Sequence, residues 1–138
     1  QALAEVGRRY PLDHDRVVLS GYSMGGYGAW NLGLRFSGRF AAVTPFSAGI
    51  ARSEMLMGRH DPSRSLLANA RNLPLFFVHG NRDQTVPVRF SRGISAELGV
   101  LGIEHQFRED AQVAPGRNTA EGTCAWGGTL CRPQVSIA

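Results

Sequence analysis

A serine between glycines is the first feature of this sequence that could carry chemistry. Ser23 lies in the run GYSMGGYGAW, residues 21–30, which follows the apolar residues 17–19 after a single serine. This pattern predicts a tight turn from a strand into a helix, which strains the serine backbone and lifts its oxygen above the sheet edge. Bulky side chains two residues before and after the serine would collide in such a turn, so glycine is expected at Gly21 and Gly25. Ser23 is therefore a candidate nucleophile for acyl transfer; the alternative is a structural turn whose serine faces solvent.

The predicted turn also places Ser23 at the amino-terminal end of the following helix. Backbone N–H groups and the helix dipole favour negative charge at that position. The tetrahedral intermediate of acyl transfer carries such a charge on its oxyanion. We therefore predict that the backbone N–H of Met24 is one oxyanion donor. The five-residue pattern is weak evidence alone, and the apolar strand before it and the amphipathic helix after it strengthen the prediction.

The elements that must position these residues alternate along the chain. Continuous apolar runs predict buried strands, and apolar residues at helical spacing predict the helices between them. The predicted helices cover residues 2–10, 25–36, 63–71 and 88–102, and the predicted strands cover 16–21, 39–49 with a stop near Pro45, 73–80 and 103–107. Strands that alternate with helices predict the α/β class, a parallel sheet flanked by helices.

Residues 15–49, DRVVLSGYSMGGYGAWNLGLRFSGRFAAVTPFSAG, resemble the nucleophile region of the α/β-hydrolase superfamily. They are similar in particular to the prolyl oligopeptidase-type serine peptidases and to esterases of the dienelactone-hydrolase and depolymerase kind. The resemblance extends over about residues 10–110. It implies a serine hydrolase that works through an acyl-enzyme on a peptide or ester substrate, and it implies no metal or cofactor. A prolyl oligopeptidase-like peptidase is the first expectation, with an esterase or a catalytically dead remnant as alternatives.

The resemblance also indicates the acid. In those families a strand ending in His-Gly is followed by a loop whose aspartate belongs to the triad, and Asp83 of LPLFFVHGNRDQTVPV fills that place. A carboxylate there would orient a histidine and stabilise the imidazolium formed when serine gives up its proton. The alternative is that Asp83 only shapes a turn beside Asn81. Asp61 precedes a proline, which favours a turn, and Asp110 ends a strand, so neither outranks Asp83.

The general base is the residue that the sequence does not supply. The superfamily order is serine, acid, histidine, and only His105 follows Asp83. Period-two alternation puts His105 inside a predicted strand, on the face of its apolar neighbours, so it is a weak candidate. His79 precedes the acid on its strand and is predicted to be structural. The two remaining histidines, His14 and His60, come too early or lie in the wrong loop.

The resemblance breaks after Asp110, where those families continue into a Gly-His pair. Residues 111–138 follow neither the helical nor the strand period. We therefore predict two regions: 1–110, the C-terminal part of an α/β-hydrolase catalytic domain that lacks its N-terminal strands, and 111–138, an irregular tail. A reading-frame change near Asp110 in a GC-rich gene would produce such a tail, rich in Ala, Gly, Arg and Pro. The chain is accordingly expected to be a fragment.

Composition argues against other classes of protein. The 138 residues suffice for one domain, and the net charge of +4 comes from fifteen arginines scattered between Arg8 and Arg132. A nucleic-acid-binding protein would cluster its basic residues on one face, so no nucleic-acid partner is expected. No apolar run approaches the roughly 18 residues of a membrane span, so no membrane partner is expected. Cys124 and Cys131 do not form a zinc signature, and whether they pair is left open, as is the oligomeric state.

Overall fold

The computed structural model describes residues 2–51 and 66–110 of the chain. The described helices are α1 (Ala2–Arg9), α2 (Met24–Arg35) and α3 (Arg89–Val100), and the strands are β1 (Val18–Tyr22), β2 (Ala42–Phe46), β3 (Phe76–Gly80) and β4 (Gln106–Asp110). Short 3-10 helices cover His14–Arg16, Ser37–Arg39 and Leu67–Ala70. The predictions for His60, Asp61, both cysteines and the tail 111–138 lie outside the described residues.

The four strands form one parallel sheet in the order β1-β2-β3-β4. β1 matches β2 from Val18↔Ala42 to Tyr22↔Phe46, and β3 and β4 are likewise paired over five residues. Each strand thus lies beside the next strand in the chain. Because the strands are parallel, each connection takes the chain from the carboxyl end of one strand back to the amino end of the next. The predicted α/β class and the parallel sheet are confirmed.

One face of the sheet carries the hydrophobic core. Leu19, Val43, Phe77 and Phe107 lie on this face of the four strands. Trp30 of α2 packs edge-on against Phe77 with their ring centroids 5.1 Å apart, and Phe107 stacks on the same ring at 4.9 Å. Buried residues of both α2 and α3 join this cluster. The two helices therefore pack on the same face of the sheet through their apolar residues.

β2 includes Pro45 and ends one residue later, at Phe46, close to the stop that the sequence predicts. The amides of Val43 and Ser47 donate to the carbonyls of Pro74 and Val78, at 3.0 and 2.9 Å. The N–H midway between them would come from Pro45, which has none. The strand therefore accommodates its proline by omitting one bond of the ladder. As a result, β2 is less completely paired with β3 than with β1.

β4 begins later than predicted. The sequence places a strand over residues 103–107, whereas the structure begins it one residue after His105. The amide of Ile103 donates to the carbonyl of Leu98 at 2.9 Å, and Gly102 has a φ of 65°, so these residues cap α3. The side chain of Ile103 is buried, and this apolar residue made the cap look like the start of a strand. His105 lies before β4, not inside it.

β1 forms an edge of the described sheet, and two of its three exposed residues, Val18 and Tyr22, are apolar. Val18 and Tyr22 are 54% and 41% exposed. An exposed apolar edge strand can pair with another chain. We expect residues 1–138 to self-associate at about 100 µM, and Val18→Lys to shift the population towards monomer, because an edge lysine opposes pairing. Size-exclusion chromatography with light scattering measures both.

Val100→Lys is the matched control for this prediction. Val100 is 87% exposed but lies at the end of α3, away from the β1 edge, so its substitution should leave the association unchanged. A monodisperse wild-type monomer at the same concentration would contradict the prediction.

Candidate active site

The predicted nucleophile and acid, Ser23 and Asp83, lie at the edge of the sheet that is formed by the carboxyl ends of its strands. Parallel strands end at the same edge, and the chain leaves β1 at Ser23 and β3 just before Asp83. β2 lies between these two strands and leaves the sheet at Ser47. This is the edge at which open parallel sheets assemble their sites.

Ser23 has a strained backbone. Its φ of 53° and ψ of −117° lie in a region that residues with a side chain seldom adopt. The amide of Ser23 donates to the carbonyl of Phe46 at 3.0 Å, and the carbonyl of Ser23 accepts from the amide of Tyr27 at the start of α2. The Ser23 hydroxyl makes no capping bond to the helix. The backbone bonds therefore hold the turn without using the oxygen that would react.

Of the two glycines that the sequence predicts to be required in this turn, Gly21 is required by the structure and Gly25 is not. A Cβ at Gly21 would lie 2.2 Å from the carbonyl oxygen of Gly25, so Gly21 is sterically required. A Cβ on Gly25 itself would meet nothing within 4 Å, which makes the predicted collision there wrong. The second required glycine is Gly26, whose Cβ would lie 2.6 Å from Ala48 Cβ and 2.7 Å from the Phe46 carbonyl oxygen. Gly25 contributes its backbone to the close approach, and Gly26 allows α2 to touch the end of β2.

This correction predicts opposite outcomes for neighbouring glycines. Gly26→Ala should lower the free energy of unfolding by about 1–3 kcal/mol, because the added methyl overlaps Ala48 and the backbone of Phe46. Gly25→Ala should be neutral or stabilising by up to about 1 kcal/mol, because alanine favours the helix and meets open space. Urea denaturation followed by circular dichroism measures both. Equal losses in the two variants would restore the requirement for glycine at Gly25.

Met24 is the first residue of α2. The first N–H groups of a helix have no acceptor within the helix, so the Met24 amide can donate to an acceptor outside α2. Its side chain is 85% exposed and takes no part in the core. The predicted role of Met24 remains a prediction, resting on the backbone alone.

Asp83 lies buried in the loop after β3. Its Oδ1 accepts from the amides of Thr85 and Val86, both at 2.9 Å. Its Oδ2 lies 3.7 Å from Nε2 of His79. Asp83 therefore shapes its loop, as the structural alternative proposed, and still keeps its second oxygen out of those bonds. A carboxylate held in this way has a fixed direction, which the acid of a triad requires.

His79 is fully buried beside Asp83. Its Nε2 lies 2.7 Å from the carbonyl oxygen of Val86, and its Nδ1 lies 2.7 Å from the hydroxyl of Ser91. Because a carbonyl only accepts, Nε2 carries the ring proton. Burial lowers the pKa of His79, against the opposing effects of the Val86 carbonyl and the carboxylates of Asp83 and Glu109. The imidazole is therefore neutral at pH 7, and its 3.7 Å contact with Asp83 is not an ion pair.

The lowered pKa of His79 makes stability depend on pH. The unfolded chain binds a proton to this residue at about pH 6.5, whereas the folded protein resists it until the pH is lower. The contribution of neutral His79 is thus complete above pH 6.5 and is lost as the pH falls towards the folded pKa. We expect the urea midpoint to fall from pH 7.5 to pH 5.5, and His79→Gln to flatten that difference, since glutamine stays neutral. An unchanged slope in the variant would assign the effect to other groups.

Sequence reasoning missed Ser91. This residue lies on α3 and is buried, and its Oγ is also 3.3 Å from the carbonyl oxygen of Ala48. The signal was available, because Ser91 shares the apolar stripe of α3 with Ile94 and Leu98 at helical spacing. A small polar residue on such a stripe needs a buried hydrogen-bond partner, and His79 is that partner.

His105 lies at the edge formed by the amino ends of the strands, opposite the edge where Ser23 lies. It precedes β4, whereas Ser23 follows β1, and the strands are parallel. Its Nε2 lies 2.8 Å from the hydroxyl of Ser95, its Nδ1 lies 2.9 Å from the carbonyl oxygen of Ile103, and its ring stacks on Phe77. His105 also borders a cavity of about 400 Å³ at that far edge. The geometry argues against His105 as the base that takes the Ser23 proton.

The other described candidates are less informative. His14 lies in the exposed 3-10 helix before β1, and Asp110 ends β4, where its carbonyl accepts from the amide of Asn81 at 2.8 Å. Within the part of the chain that the structure describes, no three metal-ligating side chains group together, and no helix is long and apolar enough to cross a membrane.

Comparison with known proteins adds a family and a set of similar structures. A family model described as phospholipase/carboxylesterase matches residues 1–119. No curated protein matches the chain. The structure is similar to a thermostable esterase (26% identity, 88% of this chain, 30% of that chain, TM-score 0.62) and to esterase PE8 (27%, 81%, 48%, 0.62).

A third similar structure is the acylaminoacyl peptidase of Pyrococcus horikoshii (23% identity, 83% of this chain, 22% of that chain, TM-score 0.66). At that identity the likeness concerns the fold alone. The chain spans at most about half the length of these three proteins.

Proposed function

Because this chain belongs to the phospholipase/carboxylesterase family of the α/β-hydrolase superfamily, we propose that it carries the nucleophile and the acid of a serine hydrolase that cleaves carboxylic esters. The observation that carries the proposal is the strained turn at Ser23, with a positive φ and a hydroxyl that does not cap α2. Strain of this kind persists where surrounding structure holds it, and it is concentrated at functional sites.

The reaction follows from the groups at the sheet edge. Ser23 Oγ attacks the ester carbonyl carbon, its proton passes to a base, and the oxyanion accepts a hydrogen bond from the Met24 amide. The carbon–oxygen bond to the alcohol then breaks, the alcohol takes the proton from the base, and the acyl group stays on Ser23. Water repeats the sequence and releases the carboxylic acid. Asp83 orients the base through its second carboxylate oxygen.

We propose that the base comes from outside the described residues. His79 is buried with both ring nitrogens hydrogen-bonded, His105 lies at the opposite edge, and His14 lies in an exposed helix before β1. None of these three is positioned beside the Ser23 hydroxyl and the Asp83 carboxylate together.

Ester hydrolysis is supported over peptide hydrolysis. The matching family is described as phospholipase/carboxylesterase, and the two structures named above with more than 25% identity are esterases. The prolyl oligopeptidase-like peptidase that the sequence first suggested is kept as the second candidate, favoured by the likeness in fold to an acylaminoacyl peptidase. Both candidates use the same acyl-enzyme at Ser23, and they differ in the leaving group.

The test is labelling and turnover of the full-length protein. A fluorophosphonate probe should label the wild type, and Ser23→Ala should abolish labelling and lower kcat for a p-nitrophenyl ester by at least about 1,000-fold. Asp83→Asn should lower kcat by about 100-fold or more, because the amide oxygen can keep the two loop bonds while the negative charge is lost. Ser20→Ala is the matched control, since Ser20 lies on β1 and donates to the Thr44 carbonyl.

The possible outcomes separate the candidates. Faster cleavage of a matched acyl-aminoacyl anilide than of the ester would favour the peptidase. Absence of labelling in the wild type and in Ser23→Ala would identify a non-catalytic member of the superfamily and overturn the proposal.

A further inference from the structure

A buried pair of polar side chains lies between the two loops of the candidate site. His79 on β3 and Ser91 on α3 are both buried, and Nδ1 of His79 lies 2.7 Å from Oγ of Ser91. The proposed reaction uses neither residue. Polar groups buried in a core of this size need a reason beyond packing, because an apolar pair would avoid the cost of removing them from water.

One end of this pair holds the acid loop, residues 83–86. Nε2 of His79 donates to the carbonyl of Val86 at 2.7 Å. The amide of Val86 in turn donates to Oδ1 of Asp83 at 2.9 Å. The side chain of His79 is therefore linked to the carboxylate of Asp83 through a single residue, so that a displacement of the imidazole would move the loop that aims the acid.

The other end of the pair holds the segment behind the nucleophile turn, residues 46–48. The single hydroxyl proton of Ser91 faces two acceptors, His79 Nδ1 at 2.7 Å and the Ala48 carbonyl at 3.3 Å. Ala48 is the residue against which Gly26 of the turn packs. Two residues earlier, the carbonyl of Phe46 accepts from the Ser23 amide.

The backbone between these two contacts is itself strained. Ser47 has a φ of 47°, and among the described non-glycine residues only Ser23 shares a positive φ. The two strained residues lie at the ends of neighbouring strands, and strain of this kind requires surrounding bonds that hold it. Ser91 supplies one such bond to the residue directly after Ser47.

We propose that His79 and Ser91 are positioning residues that hold the acid loop and the segment behind the nucleophile turn in one fixed arrangement. This inference rests on the proposed function, since it assigns the pair to the alignment of Asp83 with Ser23. It concerns orientation only, because neither side chain reaches the reacting atoms.

The chain contains its own control for this inference. Ser95 lies one helical turn after Ser91 on α3, and its hydroxyl also bonds to a histidine, His105, at 2.8 Å. That pair connects α3 to the opposite edge of the sheet. Ser91→Ala and Ser95→Ala therefore remove the same kind of bond from the same helix, and only the first bond leads to the candidate site.

The experiment compares the two variants in the full-length protein. Ser91→Ala should lower kcat for a p-nitrophenyl ester by about 10-fold while KM changes by less than about 2-fold, since misalignment affects the reacting geometry more than binding. Ser95→Ala should change both constants by less than about 2-fold. Ser91→Cys, which keeps a weak S–H donor, should recover part of the lost kcat and serves as the second variant if Ser91→Ala does not fold.

Hydrogen exchange of the 138-residue chain gives a readout that needs no catalysis. In Ser91→Ala the amides of Val86, Ser47 and Ser23 should exchange about 10-fold faster, and in Ser95→Ala they should not. Exchange that changes at only one of the two segments, or equal kcat losses in the two alanine variants, would overturn the inference. A wild type without Ser23-dependent hydrolysis would overturn the proposed function, and the exchange rates would still decide whether the two segments are coupled.

Discussion

The close contact of three backbone segments determines the rest of this structure. The strand before Ser23 touches the first turn of α2 at Gly21, and α2 touches the end of β2 at Gly26. A side chain at either position would overlap the facing segment and force the two apart. The contact allows the sharp reversal that strains Ser23, and it aligns the carbonyl of Phe46 with the Ser23 amide. The position of the Ser23 hydroxyl at the carboxyl ends of the strands is thus a consequence of the missing side chains at Gly21 and Gly26.

The fold separates two serine–histidine pairs by placing them at opposite edges of the sheet. Ser91 and His79 lie towards the edge where the strands end, and Ser95 and His105 lie towards the edge where they begin. Both pairs join α3 to the sheet. Because α3 packs along parallel strands, successive turns of its buried face lie beside different positions along those strands. The same kind of serine–histidine bond therefore lies at one edge of the sheet or the other according to the position of its serine along α3.

The α/β class and the parallel sheet could be predicted from the sequence, because continuous apolar runs indicate buried strands that alternate with helices. The turn pattern placed Ser23 directly after a strand, and the resemblance to the α/β-hydrolases placed Asp83 in the loop after another strand. It failed at Gly25 and Gly26, since a pattern of adjacent glycines does not reveal which one faces another segment. It also placed His105 inside a strand, because a helix cap with a buried isoleucine has the composition of a strand. The helical spacing of α3 indicates that Ser91 is buried, but its partner His79 could be identified only once α3 was packed on the sheet.

The proline in β2 has a mechanical consequence. β1 and β2 form one well-paired unit that carries the serine, and β3 and β4 form another that carries the carboxylate. Pro45 has no N–H, so the seam between these units, where β2 pairs with β3, lacks one backbone hydrogen bond. Sliding of one unit along the other would alter the separation of serine and carboxylate while each unit kept its own ladder intact. The β2–β3 seam is therefore the place where the distance between the serine and the carboxylate can change without the loss of either ladder.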